Sequence, residues 1–282
     1  MRLVLLTAFT MCAFAANSIL TRMAVDGGYI DPLAFAIIRV LAGALMLALL
    51  VLGQGGRIPL TGRSRLIGAV SLAAYMIGFS LAYATLDAGL GALILFGVVQ
   101  IAMFLYATAR GTRPSTRQII GASIAFMGLI IALWPGGQSA PDLAGAALMT
   151  VAGLGWAAYT LVGKSESNPL AATAANFCLC LPLMLIALFS WVQSASLSGV
   201  VLAVISGAVT SGLGYALWYR VLPGLQQSTA AVVQLSVPII AILAGALLLG
   251  EDLSSEVMLA AALVIAGIGL AVTSQSSPKD RT

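Results

Sequence analysis

Long apolar runs alternate along the chain with short segments that are polar or rich in glycine and proline. Each run holds roughly 20 residues, which is the length that an α-helix needs to cross the hydrocarbon core of a bilayer. The breaks contain helix-ending residues, such as Gly27-Gly28, Asn168-Pro169 and Gly250. The pattern therefore predicts ten membrane-spanning helices. They cover residues 3–23, 32–52, 65–85, 88–108, 117–134, 142–163, 169–189, 198–219, 228–249 and 256–274.

The composition favours a bilayer over water as the solvent. Hydrophobic residues make up 61% of the 282 residues and charged residues only 8%, whereas a soluble domain carries about 25% charged residues. The N-terminal run begins like a signal peptide, with Arg2 before an apolar stretch, but it continues to Met23 and is long enough to span. We therefore expect this run to be retained as the first helix.

The distribution of basic residues predicts the orientation in the membrane. With a cytoplasmic N-terminus, 11 of the 13 lysines and arginines fall on the cytoplasmic side, and most acidic residues fall outside. This positive-inside pattern predicts a multi-pass protein of the bacterial inner membrane with both termini in the cytoplasm. The pI of 9.2 then reflects topology, and nucleic acid is not an expected partner. The cytoplasmic set is Arg2, Arg57, Arg63, Arg65, Arg110, Arg113, Arg117, Lys164, Arg220, Lys279 and Arg281.

The two halves of the chain are weakly alike. In order, the matching positions are Phe14–Ser18 with Trp156–Thr160, Pro32–Ala34 with Pro169–Ala171, Tyr83 with Tyr219, and Gly128 with Gly267. A half of five helices crosses the membrane an odd number of times, so the second half enters from the opposite side. Inverted repeats are typical of secondary transporters, which bind substrate near the midplane between the halves. Duplicated scaffolding without transport is the alternative.

The predicted fold class is therefore an all-α integral membrane protein with ten transmembrane helices in two inverted five-helix repeats around a central cavity. The N-terminal repeat covers residues 1–137 and the C-terminal repeat covers residues 138–275. Residues 276–282 form a cytoplasmic tail.

Several motifs carry a family resemblance. The segments Gly214–Arg220, Gln234–Pro238 and Leu249–Glu251 resemble the drug/metabolite transporter (DMT) superfamily, EamA type. Within it, Ser80–Tyr83 and Asp87–Phe96 resemble the YddG-type amino-acid exporters. The resemblance implies export of aromatic and other neutral amino acids from the bacterial cytoplasm by alternating access. It also implies a cavity lined by helices 1, 3, 4, 6, 8 and 9. Export of another small metabolite or a drug is the alternative, because one fold serves many functions.

Polar and aromatic side chains inside the spans are the candidate substrate ligands. An amide that faced lipid would be costly, so each is expected to bond either a neighbouring helix or the substrate. Aromatic residues on shared helical faces, with a few amides, suit a zwitterion that has an apolar side chain. The predicted substrate-binding residues are Asn17, Tyr75, Phe79, Phe96, Gln100, Trp156, Tyr159, Tyr215, Gln234 and Ser236. Trp218 and Tyr219, near a span end, are predicted to anchor the membrane interface.

Three kinds of residue leave alternatives open. Pro238 frees the carbonyl of residue 234, which either accepts from a substrate ammonium or marks a helix kink. Gly91, Gly155 and Gly214 are candidate gating or hinge positions, or points of close helix packing. Arg39 is the charge placed within a span. It is predicted to extend toward the interface, to bind helix-end carbonyls, or to bind a substrate carboxylate.

Other functional classes lack their signatures. A membrane enzyme would need a nucleophile–base pair, paired carboxylates or metal ligands within the spans, and a channel would need a ring of charges, usually in an oligomer. The sequence contains no histidine, and Cys12, Cys178 and Cys180 lie in apolar runs. We therefore expect a monomeric carrier without cofactor or metal, whose partners are a small amino acid and the lipid bilayer. No acidic residue lies at the centre of a predicted span, which predicts export without an intramembrane proton relay.

Overall fold

The computed structural model describes residues 2–111, 114–134, 142–164, 166–188, 194–221, 224–225 and 233–273. These residues form helices and, within the described ranges, no β-strand. The helices are α1 (Arg2–Asp26), α2 (Pro32–Gly53), α3 (Arg63–Ala82), α4 (Ala88–Ala109), α5 (Thr116–Ala132), α6 (Leu143–Gly163), α7 (Pro169–Leu188), α8 (Leu197–Val221), α9 (Ser236–Leu249) and α10 (Ser255–Thr273).

Seven helices of the described part are long and apolar enough to cross a membrane, namely α1 to α4 and α6 to α8. The apolar helices α5, α9 and, over Ser255–Ala271, α10 are shorter. Residues 228–232, assigned to the ninth span from the sequence, lie outside the described residues, as do the junction at residues 137 and 138 and the tail at 276–282. A multi-pass helical membrane protein is thus confirmed, whereas ten spans and the division into two repeats stay predictions.

Local sequence explains where several helices begin. The Asp31 carboxylate accepts hydrogen bonds from the amides of Leu33 (2.8 Å) and Ala34 (3.3 Å), and Pro32 needs no hydrogen-bond partner at the first helical position. Ser115 and Gln118 cap α5 reciprocally, as in a capping box. These side chains satisfy amide groups that the first helical turn would otherwise leave unpaired.

The helix pairings are consistent with a two-fold relation between the predicted halves. Under such a relation, α1 to α5 exchange with α6 to α10 in order. The contact of α3 with α6 is matched by that of α8 with α1, and the contact of α4 with α6 by that of α9 with α1. The pairs α2 with α7 and α5 with α10 map onto themselves. The inverted orientation itself stays a prediction.

Small residues allow the closest of these approaches. A methyl group added to Gly155 of α6 would lie 2.8 Å from the Ser71 carbonyl oxygen of α3, and one added to Gly78 of α3 would lie 2.6 Å from the Leu148 carbonyl oxygen of α6. Such spacing admits only glycine, as is common between membrane helices.

Candidate substrate cavity

A narrow cavity of about 20 Å³ lies among α1, α3, α4, α6, α8 and the turn before α9. The five helices are among the six that the family resemblance implied, and Gln234 falls within the sixth, the span predicted at residues 228–249. The cavity is lined by Phe14, Asn17, Ser18, Tyr75, Phe79, Leu95, Phe96, Trp156, Tyr215 and Gln234. We call it the central cavity.

A wider vestibule of about 320 Å³ adjoins the central cavity, with which it shares Phe14, Trp156, Tyr215 and Gln234. Its far end reaches Lys164 and Glu166, which follow α6 on the side that the basic residues predict to be cytoplasmic. The vestibule is further lined by Val99, Gln100, Met103, Tyr159, Thr160, Gly163, Pro169, Trp218 and Tyr219. We call it the inner vestibule.

Nine of the ten predicted substrate-binding residues line one or both of these spaces. Ser236 is the exception, because its hydroxyl donates to the Val233 carbonyl (2.6 Å) at the start of α9 and lines neither cavity. Trp218 and Tyr219, which were predicted to anchor the membrane interface, both line the inner vestibule, and the interfacial role stays a prediction. Phe14 was missed, although it lies one helical turn from Asn17 on the same face.

The predicted hinge residues lie at different kinds of position. A methyl group added to Gly91 would overlap the Tyr83 ring, and Gly155 meets α3 closely, so both positions are tightly packed. Gly214 has room, because an added methyl group would be 3.4 Å from the nearest atom, in Ala13. Pro238 is buried in α9. A hinge role for these four positions stays a prediction.

Trp156 is the centre of the aromatic lining. Its ring centroid lies 4.9 Å from that of Tyr75, 5.3 Å from that of Tyr215 and 5.4 Å from that of Tyr159. The Tyr159 ring is nearly parallel to the indole, at 27°, while the other two are tilted. A ring that entered from the vestibule would therefore meet aromatic faces and edges on several sides.

Asn17 is the main polar group of the central cavity. Its Oδ1 accepts hydrogen bonds from the hydroxyls of Thr210 (2.6 Å), Ser206 (2.9 Å) and Ser211 (3.3 Å). These hydroxyls belong to a π-helical segment of α8, Ser206–Leu213. Because hydrogen bonds in a π-helix run from residue i to i+5, residues four and five apart share a face, and all three hydroxyls reach one amide.

Arg39 of α2 is fully buried, so the prediction that it extends to the membrane interface is wrong. Its Nε donates to the Ser211 hydroxyl (3.1 Å) and its Nη2 donates to the Tyr75 hydroxyl (3.2 Å). The guanidinium carbon lies 4.9 Å from the centroid of the Phe79 ring and 5.5 Å from that of Tyr75. Arg39 thus lies one layer behind two side chains of the cavity wall.

A cluster of charges closes the opposite end of the molecule. Arg22 at the end of α1 pairs with Asp26 (3.1 Å), with Asp87 before α4 (3.3 Å) and, at 3.9 Å, with Glu251 after α9. It also donates to the Tyr83 carbonyl (3.2 Å). We call this group the outer cluster. A separate space of about 530 Å³ lies beside it and shares no lining residue with the central cavity.

Glu251 also caps α4. It accepts hydrogen bonds from the amides of Ala88 (2.6 Å) and Gly89 (3.4 Å). The preceding Gly250 has a φ of 69°, a left-handed conformation that favours glycine and turns the chain back toward α4. Burial raises the pKa of Glu251 above its ordinary value, partly offset by these amide bonds.

An ion pair lies at the inner end. Arg65 at the start of α3 pairs with Glu166, which lines the inner vestibule between α6 and α7. The Arg65 side chain is buried, so the pair ties α3 to the loop beside the vestibule mouth. Charged contacts therefore join different helices at both ends of the cavity.

Comparisons with known proteins agree with this architecture. Residues 143–273 match the EamA-like transporter family. An uncharacterized protein of Pseudomonas aeruginosa is 45% identical over 272 residues, which are 95% of this chain and 94% of that protein. Uncharacterized transporters of Archaeoglobus fulgidus and Bacillus subtilis are 26% and 28% identical, over 86% and 89% of this chain and 90% and 87% of their own lengths.

A solved crystal structure shares the fold, with a TM-score of 0.67 at 16% identity over 94% of this chain and 97% of that chain. Because the matching family and two of these relatives are transporters, the chain is a membrane transporter, and not an enzyme. The chain belongs to the EamA-like transporter family of the DMT superfamily.

Proposed function

We propose that the protein exports aromatic and other neutral amino acids across the bacterial inner membrane by alternating access. The observation that carries this proposal is the lining of the central cavity, which combines six aromatic side chains with two amides and no acidic or basic group. Such a wall suits a small zwitterion that has an apolar or aromatic side chain. A sugar phosphate would instead require cationic ligands that touch it directly.

The inner vestibule supports loading from the cytoplasm. Its volume of about 320 Å³ is at the lower end of the range for sites that hold small molecules. The central cavity, at about 20 Å³, has room for little more than one water molecule. A substrate would therefore bind first against Trp156 and Tyr159 from the vestibule. Rearrangement of the helices would then admit it to the centre.

The difference between the two ends of the cavity supports alternating access. The described conformation has a vestibule at the end predicted to be cytoplasmic, while the outer cluster holds α1, α4 and the segment after α9 together. Opening outward would require Arg22 to release its partners while the inner end closes. With no carboxylate in the central lining, transport would follow the amino-acid gradient without a proton relay.

The proposal is tested with purified protein in liposomes. Labelled phenylalanine inside the vesicles should exchange with unlabelled neutral and aromatic amino acids, saturably. Trp156→Ala should weaken this exchange about 10-fold or more, because it removes the ring at the centre of the aromatic lining. Trp134→Ala is the matched control, since Trp134 is exposed at the end of α5.

Two results would contradict the proposal. If no neutral amino acid moves while another metabolite or a drug does, the chain is an EamA-type exporter of a different solute. If a proton gradient alone drives accumulation against the amino-acid gradient, the uncoupled mechanism is wrong.

A further inference from the structure

We propose that Arg39 makes the central cavity a receptor for the carboxylate of the substrate, acting as a positioning residue through Tyr75 and Asn17. The inference rests on the proposed function, since it assigns an orientation and a selectivity to an amino acid bound in that cavity. It predicts that the site distinguishes a free carboxylate from an amide or an amine.

The charge of Arg39 is buried without a counter-ion in the described structure. Its relative exposure is 0%, and its Nη1 has no hydrogen-bond partner among the described residues. No described aspartate or glutamate pairs with it; the four ion pairs of the described part use Arg22 and Arg65. A buried cation is costly unless it is paired, and intramembrane charges of this kind mark substrate pathways. A bound carboxylate would supply the missing negative charge.

Tyr75 connects this charge to the cavity. Because Arg39 Nη2 donates to the Tyr75 oxygen, the hydroxyl hydrogen must point away from the guanidinium. Tyr75 lines the central cavity, and no acceptor for its hydrogen occurs among the described residues. The hydroxyl is therefore available as a donor to a ligand, and the cation behind it strengthens that donor.

Asn17 presents donors for a similar reason. Its Oδ1 is occupied by three hydroxyls of the π-helical segment, which fixes the orientation of the amide. Its Nδ2 has only long bonds, of 3.4 Å to the Ala13 carbonyl and 3.5 Å to the Thr210 carbonyl. Asn17 and Tyr75 line the same cavity, where the weakly bonded amide hydrogens and the Tyr75 hydroxyl are the donors that a ligand could recruit. Donors backed by a cation attract a carboxylate and disfavour an ammonium.

Arg39 also contacts both predicted halves. It belongs to α2, its Nη2 bonds Tyr75 of α3, and its Nε bonds Ser211 of α8. A carboxylate bound here would be held by Asn17 of α1 and Tyr75 of α3. The hydroxyls of α8 would support these groups, because they bond Asn17 directly and Ser211 bonds Arg39 behind Tyr75. The substrate side chain would then extend toward Trp156, which contacts Tyr75 at 4.9 Å between ring centroids.

The test measures competition in the liposome exchange assay. Phenylalanine, phenylalaninamide and phenethylamine compete with labelled phenylalanine, and the ratio of their inhibition constants reports carboxylate preference. In the wild type we expect phenylalanine to compete best. Arg39→Met should reduce its preference over phenylalaninamide about 10- to 100-fold, the loss expected for a charge-assisted hydrogen bond. Arg39→Lys should retain part of the preference.

Two further variants separate selectivity from folding. Tyr75→Phe keeps the ring but removes the donor, so it should also reduce the preference, and it decides the question if Arg39→Met does not fold. Arg110→Met is the matched control, because Arg110 is exposed at the end of α4. A wild type that moves phenylalanine without preferring it to phenylalaninamide, or a preference that survives in folded Arg39→Met and Tyr75→Phe, overturns the inference but not the proposed function. A wild type that moves no amino acid overturns both.

Discussion

The outer cluster around Arg22 can be disrupted by one substitution. Arg22→Met removes the cation and keeps an unbranched side chain of similar reach. Asp26, Asp87 and Glu251 then remain as neighbouring anions without their shared partner. Because like charges repel, we expect the outer ends of α1 and α4 and the segment after α9 to separate.

The contacts give the expected size of the effect. Asp26 lies on α1 with Arg22, so that pair persists when the outer end opens and does not count. Asp87 is 49% exposed, so its pair with Arg22 contributes about 0.5 kcal/mol. The bond from Arg22 to the Tyr83 carbonyl has a charged donor and contributes about 1.5 kcal/mol. Their combined loss of about 2 kcal/mol shifts the ratio of closed to open outer ends roughly 30-fold.

The assay uses a single cysteine in the central cavity. Ser18 lines that cavity and lies one helical turn from Arg22 on α1. In a variant whose three native cysteines are replaced, Ser18→Cys is exposed to a membrane-impermeant maleimide added outside intact cells. Labelling should be slow with Arg22 present and much faster in Arg22→Met. The increase in rate can be as large as the increase in the population that is open to the outside.

The same experiment can refute the reasoning. Arg110→Met serves again as the control, and an equal rise in labelling there would show that any lost arginine loosens the bundle. An unchanged rate in Arg22→Met would mean that the outer cluster does not hold the closure. If labelling becomes faster only when the maleimide is added to the cytoplasmic face, in inside-out vesicles, Arg22 lies on the cytoplasmic side and the predicted topology is contradicted.

Three further predictions follow from described contacts. Burial raises the pKa of Glu251, so the closed end binds its proton more tightly than an open, hydrated end. Raising the pH from the ordinary pKa of a glutamate through the raised pKa of Glu251 should therefore favour opening. The measurement is a pH-dependent rise in labelling from outside, which Glu251→Gln should lack. Asn17→Leu removes the acceptor of three buried hydroxyls and should cost about 1–3 kcal/mol, seen as a lower melting temperature than that of the wild type. Gly155→Val should cost about 1–3 kcal/mol through overpacking against Ser71, whereas Gly53→Val, at an open position, should leave the melting temperature nearly unchanged.

The helices could be predicted from the sequence because apolar run length dominates in a membrane protein. The ends of α2 and α4 fall within one residue of their predicted positions, since Pro32 and Asp87 mark the starts unambiguously. The predicted end of α3 was less accurate, because the helix ends at Ala82, three residues before the predicted position. Apolar residues continue there into the turn before α4, and hydropathy does not distinguish a buried turn from a helix.

The candidate site was predictable in its aromatic residues but not in its polar arrangement. Tyr75, Phe79 and Trp156 could be found because helical periodicity groups them on shared faces. The π-helical segment of α8 could not be found, because its register depends on contacts with Asn17 from a distant part of the chain. The position of Arg39 depends on the same tertiary packing, which is why the sequence alone left three roles open.

The double use of Glu251 couples two processes that are usually separate. The carboxylate that lies near Arg22 also accepts the amide hydrogens of the first turn of α4. Moving it away would therefore leave Ala88 and Gly89 with unpaired amides as well as freeing Arg22. Fraying at the start of α4 and release of the outer end thus become a single equilibrium. Hydrogen exchange at these two amides would then report how often the transporter opens to the outside.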